Sequence, residues 1–490
     1  MERVIKKPDI IYALIIASIG FLLFKTTFSM SLYGDEWKIL WLGESTIKTK
    51  GNILIQQSTD LSYLFEIIVF NFISKGFGYN GTAYYVLSFL TRYIAALSIF
   101  WFLTKRGFSK IASFIGSLIF IVSPIGIEAT DWARNFDSYL AIPLFLLVIN
   151  YCIELKDKIS VAFILIFLSL ISLVNTTRAP GVFLVVVGVL FYLYLFNLSK
   201  KKLYFKTIIS VILLFLFLSI TPLFGNQAGG LFREFNAKVF LYSFFGSIGN
   251  ALIPNINSLF VNYNFSVIVG LLFFVCLLLL SLSKRVIKVK NYYYLIVLIL
   301  LSSFSFMIVP LIRIPQIHVN SYHRYLIHSA IVVPFITVLL IDLLKTKKIF
   351  YYLSLFSSVI LIIYFIHVSD LFLTNQKTLH SNKYSERVWY SLSSLLDDYE
   401  VKGKRISLII FTDRETVSKI DNSVAFGFNY HYGLINQLWG AKDLPPVWVI
   451  EGNFIDKSKI PQIVLDPERE IFVFEIKQEK VTDLTPMAKL

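Results

Sequence analysis

Apolar runs of about 17–25 residues recur along the chain between short polar stretches, and each is long enough to cross a bilayer core as a helix. The pattern predicts eleven spans, at 10–30, 82–103, 110–126, 138–154, 159–175, 180–197, 207–224, 259–282, 293–312, 324–343 and 349–369. A further apolar run, 61–75, is shorter, carries Glu66 and follows Asp60; it reads as an external helix lying on or dipping into the membrane. Just after the first span, Trp37, Leu40, Trp41 and Glu44 fall at i, i+3, i+4 and i+7. That spacing is one face of a helix, and its tryptophans suit a membrane interface. Beyond residue 370 the apolar runs shorten and charges return. Tyr384–Tyr399 has the period of an amphipathic helix, and Ile406–Phe411, Val447–Ile450 and Ile471–Ile476 read as strands. The predicted fold class is a polytopic α-helical membrane protein of about eleven transmembrane helices. Residues 1–369 form the membrane domain, with interfacial helices in an outer loop at 31–81, and 370–490 form a small α/β domain.

Composition agrees with a membrane protein: 56% of the 490 residues are hydrophobic and only 16% charged, more apolar surface than a soluble protein can hide. The net charge of +15 would suit nucleic acid, but the Lys and Arg residues cluster in short loops between apolar runs and no basic–aromatic RNA-binding pattern appears. No nucleic-acid partner is expected. With the N-terminus inside, the inner loops 1–9, 104–110, 154–158, 199–206, 283–292 and 344–348 hold nineteen Lys or Arg. The longer outer loops hold about half as many. If 61–75 spanned, Lys105, Arg106 and Lys110 would move outside, so the charge bias favours eleven spans and an extracytoplasmic C-terminal domain. Cys152 and Cys276 both fall in apolar segments, which argues against a disulfide framework or a Cys-based metal site. The basic start Met1–Lys7 precedes an apolar run without a small-x-small cleavage site, so an uncleaved first span is expected.

The outer side gathers the candidate chemistry. Asp35-Glu36 stands a few residues past the first span. Asp35 falls near the start of the 37–44 helix, where a carboxylate caps backbone N–H groups; the bland reading is a cap beside a solvated Glu36, and the chemical reading is a reacting acid. The second outer loop holds Glu128, Asp131, Arg134 and Asp137 within ten residues. Asp131, Arg134 and Asp137 are three apart, so one helical turn would pair Arg134 with either acid. Arg178 lies in a later outer turn, and Arg313, His318, His323 and Arg324 flank the span that begins near Arg324-Tyr325. Arginines there suit phosphate through a bidentate fork, or else lipid headgroups or charge balance with the acidic loops. His328, one turn further in, reads as a buried, satisfied histidine. There is no Walker A loop, no HExxH, and neither cysteine neighbours a histidine.

Together these residues resemble the GT-C superfamily of membrane glycosyltransferases, which includes protein O-mannosyltransferases, the aminoarabinose transferases of lipid A and oligosaccharyltransferases. Asp35-Glu36 resembles the acidic motif near the start of that family's long first outer loop, and 37–81 its membrane-surface helices. Arg134-Asn135-Phe136-Asp137 is similar in place and type to the arginine and aspartate of its second outer loop, and Arg324-Tyr325 to an Arg-Tyr at the start of a later span. The likeness covers the first third well, is weak from 180 to 310, and reaches the C-terminal domain only in topology. No WWDYG-like motif is present, which argues against the oligosaccharyltransferase branch. Size and layout are compatible with phage-type O-antigen glucosyltransferases, without a diagnostic residue.

The resemblance implies an inverting glycosyltransferase using a polyprenyl-phosphate sugar donor and a glycolipid or polysaccharide acceptor. Asp35, Glu36 and Asp137 would be its catalytic residues. Asp131, Arg134, Arg178, Arg313, His323, Arg324 and Tyr325 would bind substrate. Some branches use a divalent cation such as Mg or Mn and others do not; paired carboxylates permit one without demanding it. Polyprenyl carriers point to the bacterial inner membrane. The rival readings are an O-antigen ligase- or polymerase-like enzyme, whose large loop usually lies later between spans, and a lipid-linked sugar flippase or transporter. A transporter needs charges lining a path within its spans and often shows inverted repeats; neither is evident in the sequence.

Overall fold

The computed structural model describes residues 7–32, 35–48, 64–155, 237–254, 263–283, 288–303, 322–380, 383–421, 442–443, 445–452, 461–478 and 480–487, with single positions 188, 191, 286, 306 and 440. Its helices are α1 (Lys7–Phe24), α2 (Asp35–Lys48), α3 (Leu64–Phe77), α4 (Gly81–Lys105), α5 (Lys110–Val122), α6 (Phe136–Leu155), α7 (Ala237–Leu252), α8 (Tyr263–Ser281), α9 (Lys290–Ser303), α10 (Val332–Leu344), α11 (Lys348–His380), α12 (Lys383–Asp398) and α13 (Arg414–Asp421). Four strands follow the helical region: β1 (Ile406–Thr412), β2 (Val447–Glu451), β3 (Glu470–Lys477) and β4 (Lys480–Asp483).

Among the described residues, five helices are long and apolar enough to cross a membrane: Gly81–Lys105, Ala133–Glu154, Asn264–Ser281, Leu326–Leu344 and Lys348–Lys377. They mark a helical, membrane-embedded protein and coincide with five of the eleven sequence-predicted spans. The spans predicted at 10–30 and 110–126 contain shorter apolar helices, Asp9–Phe24 and Lys110–Val122. The span at 293–312 is described chiefly over Lys290–Ser303, those at 159–175 and 207–224 lie outside the described residues, and that at 180–197 does so except at positions 188 and 191. The run at 61–75 becomes the 14-residue α3, about 21 Å at 1.5 Å per residue and too short for a core of about 30 Å.

The chain divides into two compact units. The first comprises Met1–Lys25, Ser58–Phe65 and Val86–Phe372. Its helices approach closely where side chains are smallest. A Cβ on Gly116 of α5 would lie 2.6 Å from Val338 of α10, and one on Gly20 of α1 would lie 2.8 Å from Ile121 of α5. The pair α7 and α8 is tighter still: a Cβ on Gly249 would fall 1.8 Å from the Ser266 carbonyl oxygen, and one on Gly270 1.9 Å from that of Phe245. Small residues at such crossings let backbones touch where lipid supplies no hydrophobic drive. Ser109 caps α5 by accepting from the Ala112 amide (3.3 Å), and its own amide donates to Asp342 of α10 (3.3 Å). Tyr292 of α9 donates to the same carboxylate (3.0 Å). Arg106 pairs with Glu154 at 2.7 Å, and Lys110 pairs with Asp9.

The second unit comprises Thr26–Gln57, Glu66–Tyr85 and Leu373–Leu490. Its sheet runs β2-β1-β3-β4, with β1 parallel to both neighbours and β3–β4 antiparallel. All seven residues of β1 are buried, as a central parallel strand covered on both faces requires. Ile409, Phe411, Val464 and Val473 form the core of one face; Tyr399 packs on Phe472 of the other (4.9 Å between ring centroids). At the start of β1 and β3, Asp443 accepts from Arg405 (3.0 Å) and from both terminal nitrogens of Arg469 (2.9 and 2.6 Å). Burial alone would raise the Asp443 carboxyl, but the two guanidinium groups outweigh it and hold it below the ordinary carboxylate range.

Two outcomes follow from this packing. Gly249→Ala or Gly270→Ala must part α7 from α8, costing about 1–3 kcal/mol or more by overpacking, and thermal unfolding of the purified protein should show a lower midpoint for each. A carboxylate whose folded pKa is depressed contributes stability above its unfolded pKa, near 4, and loses it as pH falls through the folded value. Protection of the β1 amides from hydrogen exchange, relative to the unfolded chain at the same pH, should therefore fall below about pH 4, and Asp443→Asn should flatten that acid response while weakening the sheet at neutral pH.

Candidate functional site

The site begins with the way α5 ends. Pro124 follows Ser123, which is extended (φ −60°, ψ 131°), as a residue preceding proline prefers. The Ser123 hydroxyl accepts from the Ile125 amide (3.1 Å). Gly126 then takes φ +67°, and a Cβ there would lie 2.5 Å from Ile327 Cα. Only glycine meets both demands, the left-handed backbone and the approach of a second chain segment. A single helical turn, Glu128–Asp131, and a 3₁₀ turn, Ala133–Asn135, lead into α6.

This arrangement corrects one expectation. Asp131, Arg134 and Asp137 do not share one continuous helix, because the backbone leaves helical values at Trp132 (φ −113°, ψ 89°). The three side chains are nonetheless all buried: Asp131 and Asp137 are fully enclosed and Arg134 is 9% exposed. None lacks a partner, as burial of polar groups demands.

Arg92 of α4 underlies the loop. It is buried in an apolar helix, and its five N–H donors meet five oxygens. Nε donates to the Ile121 carbonyl (3.1 Å), one terminal nitrogen to Thr130 Oγ1 (2.9 Å) and the Tyr139 hydroxyl (2.8 Å), and the other to the carbonyls of Phe120 (3.3 Å) and Ser123 (2.5 Å). Its guanidinium also lies 4.8 Å from the centre of the Phe24 ring. Three of the acceptors are carbonyls at the C-terminal end of α5, which carry the negative pole of the helix. Sequence reasoning passed over Arg92; the available signal was a lone arginine within an otherwise apolar span.

The segment Tyr322–Ile331, with a 3₁₀ helix from Arg324, closes on this loop. The Glu128 amide donates to the Tyr322 carbonyl (3.0 Å). In return the Glu128 carboxylate accepts from the Arg324 amide (2.9 Å, Oε2) and the Arg324 guanidinium (3.2 Å, Oε1). The guanidinium stacks 4.0 Å over Trp132, and His323 Nδ1 lies 4.0 Å from Glu128. Deeper, His328 Nε2 is 3.1 Å from the Ser138 carbonyl; a carbonyl only accepts, so Nε2 carries the proton. His328 is thus the buried, bonded histidine expected from its place in the span. The Tyr322 phenol is pushed up by burial and the nearby Tyr364.

In the second unit, Asp35 is the first residue of α2, and its side chain lies outside the described residues. Glu36 is fully buried and not a solvated surface acid. Tyr85 donates to the Ser31 carbonyl at 3.0 Å, with Glu36 Oε2 at 3.5 Å from the same hydroxyl. Trp37 donates to the Leu32 carbonyl (3.1 Å), and Tyr79 to Glu44 (2.7 Å). Burial, together with the Glu44 carboxylate, raises the Tyr79 phenol and keeps it a donor. Glu66 of α3 is also fully buried, although the sequence reading used it only as a mark against a span.

The structure therefore brings Asp131, Arg134, Asp137, His323 and Arg324 into neighbouring segments of the first unit, and places Asp35 and Glu36 in the second. Arg178, Arg313 and His318 lie outside the described residues, as does the side chain of Tyr325. Among the described residues no three His, Cys, Asp or Glu side chains form a group that fits a metal ion.

If Arg92 organises the loop, its replacements should rank by donor count. Lysine offers three N–H donors in place of five, and methionine none. Arg92→Met should cost at least about 3 kcal/mol, since each buried acceptor stranded costs about 1–3 kcal/mol, with Arg92→Lys between it and the wild type in thermal unfolding.

No known protein family and no curated protein matches this chain.

Proposed function

We propose that this protein is an inverting glycosyltransferase that moves a sugar from a polyprenyl-phosphate donor to a glycolipid or polysaccharide acceptor at the outer face of the bacterial cell membrane. The supporting observation is the clasp between Glu128 and Arg324, 196 positions apart. It joins the acidic second loop to the Arg-Tyr segment, two of the three regions that carry the resemblance to the GT-C superfamily. In this reading the membrane domain, 1–369, carries about eleven spans, and 370–490 is an extracytoplasmic α/β domain.

The chemistry is a single displacement. An acceptor hydroxyl oxygen attacks the anomeric carbon, the bond from that carbon to the phosphate oxygen breaks, and polyprenyl phosphate leaves with the electron pair. Asp35 takes the hydroxyl proton as general base. Arg324 stabilises charge on the departing phosphate, as a fixed guanidinium does best where charge develops. Arg134 and Asp137 orient the acceptor. Among the described residues, which do not include the side chain of Asp35, no group fits a divalent cation, and no step is routed through one.

Removing a general base costs about 10²–10⁴-fold in rate. Purified protein offered polyprenyl-phosphate hexoses and cell glycolipid should transfer sugar, and Asp35→Asn should lose activity by that factor while keeping its unfolding midpoint. Near-wild-type turnover in the mutant removes Asp35 from the role. Absence of both transfer and donor binding points instead to a ligase- or flippase-like protein.

A further inference from the structure

The two oxygens of Glu128 are held by two different donors of one residue, the main-chain amide and the guanidinium of Arg324, at 2.9 and 3.2 Å. A guanidinium beside an amide N–H recognises the paired oxygens of a phosphate as readily as those of a carboxylate. Trp132 beneath the guanidinium fixes its plane. His323 Nδ1 stands at 4.0 Å from the same carboxylate, beyond hydrogen-bond reach of it. We infer that Glu128 is an internal competitor for an anion site made by Arg324, His323 and Trp132, and that a lipid-linked phosphate monoester displaces it. The identity of that ligand rests on the glycosyltransferase reading; the exchange itself rests on the geometry.

Exposure favours exchange at this one point. The side chains of Glu128, His323 and Arg324 are 25%, 22% and 17% exposed, so the pair is partly open and not fully enclosed by protein. From Pro124 to Tyr139, every residue but Glu128 and Trp132 is buried. The carboxylate arm can therefore swing out while the loop that carries it stays packed. Charge sets the direction. A carboxylate brings one negative charge, whereas a phosphate monoester brings about 1.5–2 near neutral pH. The site thus holds the departing polyprenyl phosphate more strongly than the donor, a diester with a single charge. Glu128 raises the threshold for binding in a way that favours charge as it develops in the reaction.

The test is direct binding of a short-chain isoprenyl monophosphate to the full-length protein in phospholipid nanodiscs. Wild type, Glu128→Gln, Glu128→Asp and Arg324→Ala are compared, each with its thermal midpoint. If the clasp occupies the site about nine tenths of the time, removing the competitor should tighten binding roughly tenfold. Glu128→Gln should show that gain. Glu128→Asp, one methylene too short to reach both donors, should show a smaller one and guards against misfolding of the first variant. Arg324→Ala should weaken binding at least tenfold. If Arg324→Ala weakens binding while both Glu128 variants leave it unchanged or weaken it, Glu128 merely supports Arg324; the competitor role falls and the phosphate role of Arg324 stands. If Arg324→Ala has no effect, the phosphate reading of Arg324 falls and takes the inference with it.

Discussion

The first unit depends on a cation placed where water does not reach. Arg92 is buried within an apolar helix and surrounded by neutral oxygens, with one N–H for each acceptor. An ion in such a place is unaffordable unless its hydration is replaced in full. Here three of the five acceptors come from the end of α5, where the helix leaves carbonyls without a full set of partners. One guanidinium thus meets two demands at once, its own solvation and that of the helix end. The same bonds fix where the chain goes next, because Thr130 lies within the loop that leaves α5 and Tyr139 in the first turn of α6 that follows it.

That loop is held from its other side by the segment before α10. Gly126 lies against the Ile327 backbone, Glu128 exchanges hydrogen bonds with Tyr322 and Arg324, and His328 meets the Ser138 carbonyl. These contacts are main-chain or charge-assisted, the kinds that specify register most tightly. A stretch of polar sequence is thereby packed like a core, with Asp131, Asn135, Asp137 and Ser138 all enclosed. Side chains so held lose little further freedom on meeting a substrate, which is what a positioning function requires.

Periodicity made much of the fold legible. The C-terminal helix and three strands of the sheet were readable because their patterns repeat at 3.6 and 2 residues and their faces are sharply divided; the structure places them at Lys383–Asp398, Ile406–Thr412, Val447–Glu451 and Glu470–Lys477. β4 is four residues long and paired only as an edge, too short to show a period. Helix α7 was missed because its Gly and Ser residues, which allow the close crossing with α8, dilute the apolar signal. The break at Trp132 was invisible to spacing alone: positions three apart imply one face only while the helix continues. The grouping of Arg324 with the acidic loop was suggested by residue type and place. The role of Glu128 was not, since a carboxylate's partner 196 positions away leaves no local trace.

The manner in which Arg92 is satisfied bears on the acids near it. Its donors are spent on carbonyl and hydroxyl oxygens and not on a carboxylate, so the positive charge is solvated without being cancelled. Thr130 precedes Asp131, and Tyr139 follows Asp137 by two residues. The uncancelled cation is therefore tied to the chain immediately beside two enclosed acids. In a low-dielectric interior, Coulomb interactions reach further than they do in water. A positive charge lodged there can act on both acids without drawing either out of place. Had a carboxylate been the counter-ion, the loop would have had to surrender one of its acids to hold the arginine. By using the end of a helix instead, the fold leaves Asp131 and Asp137 enclosed in positions set by the backbone.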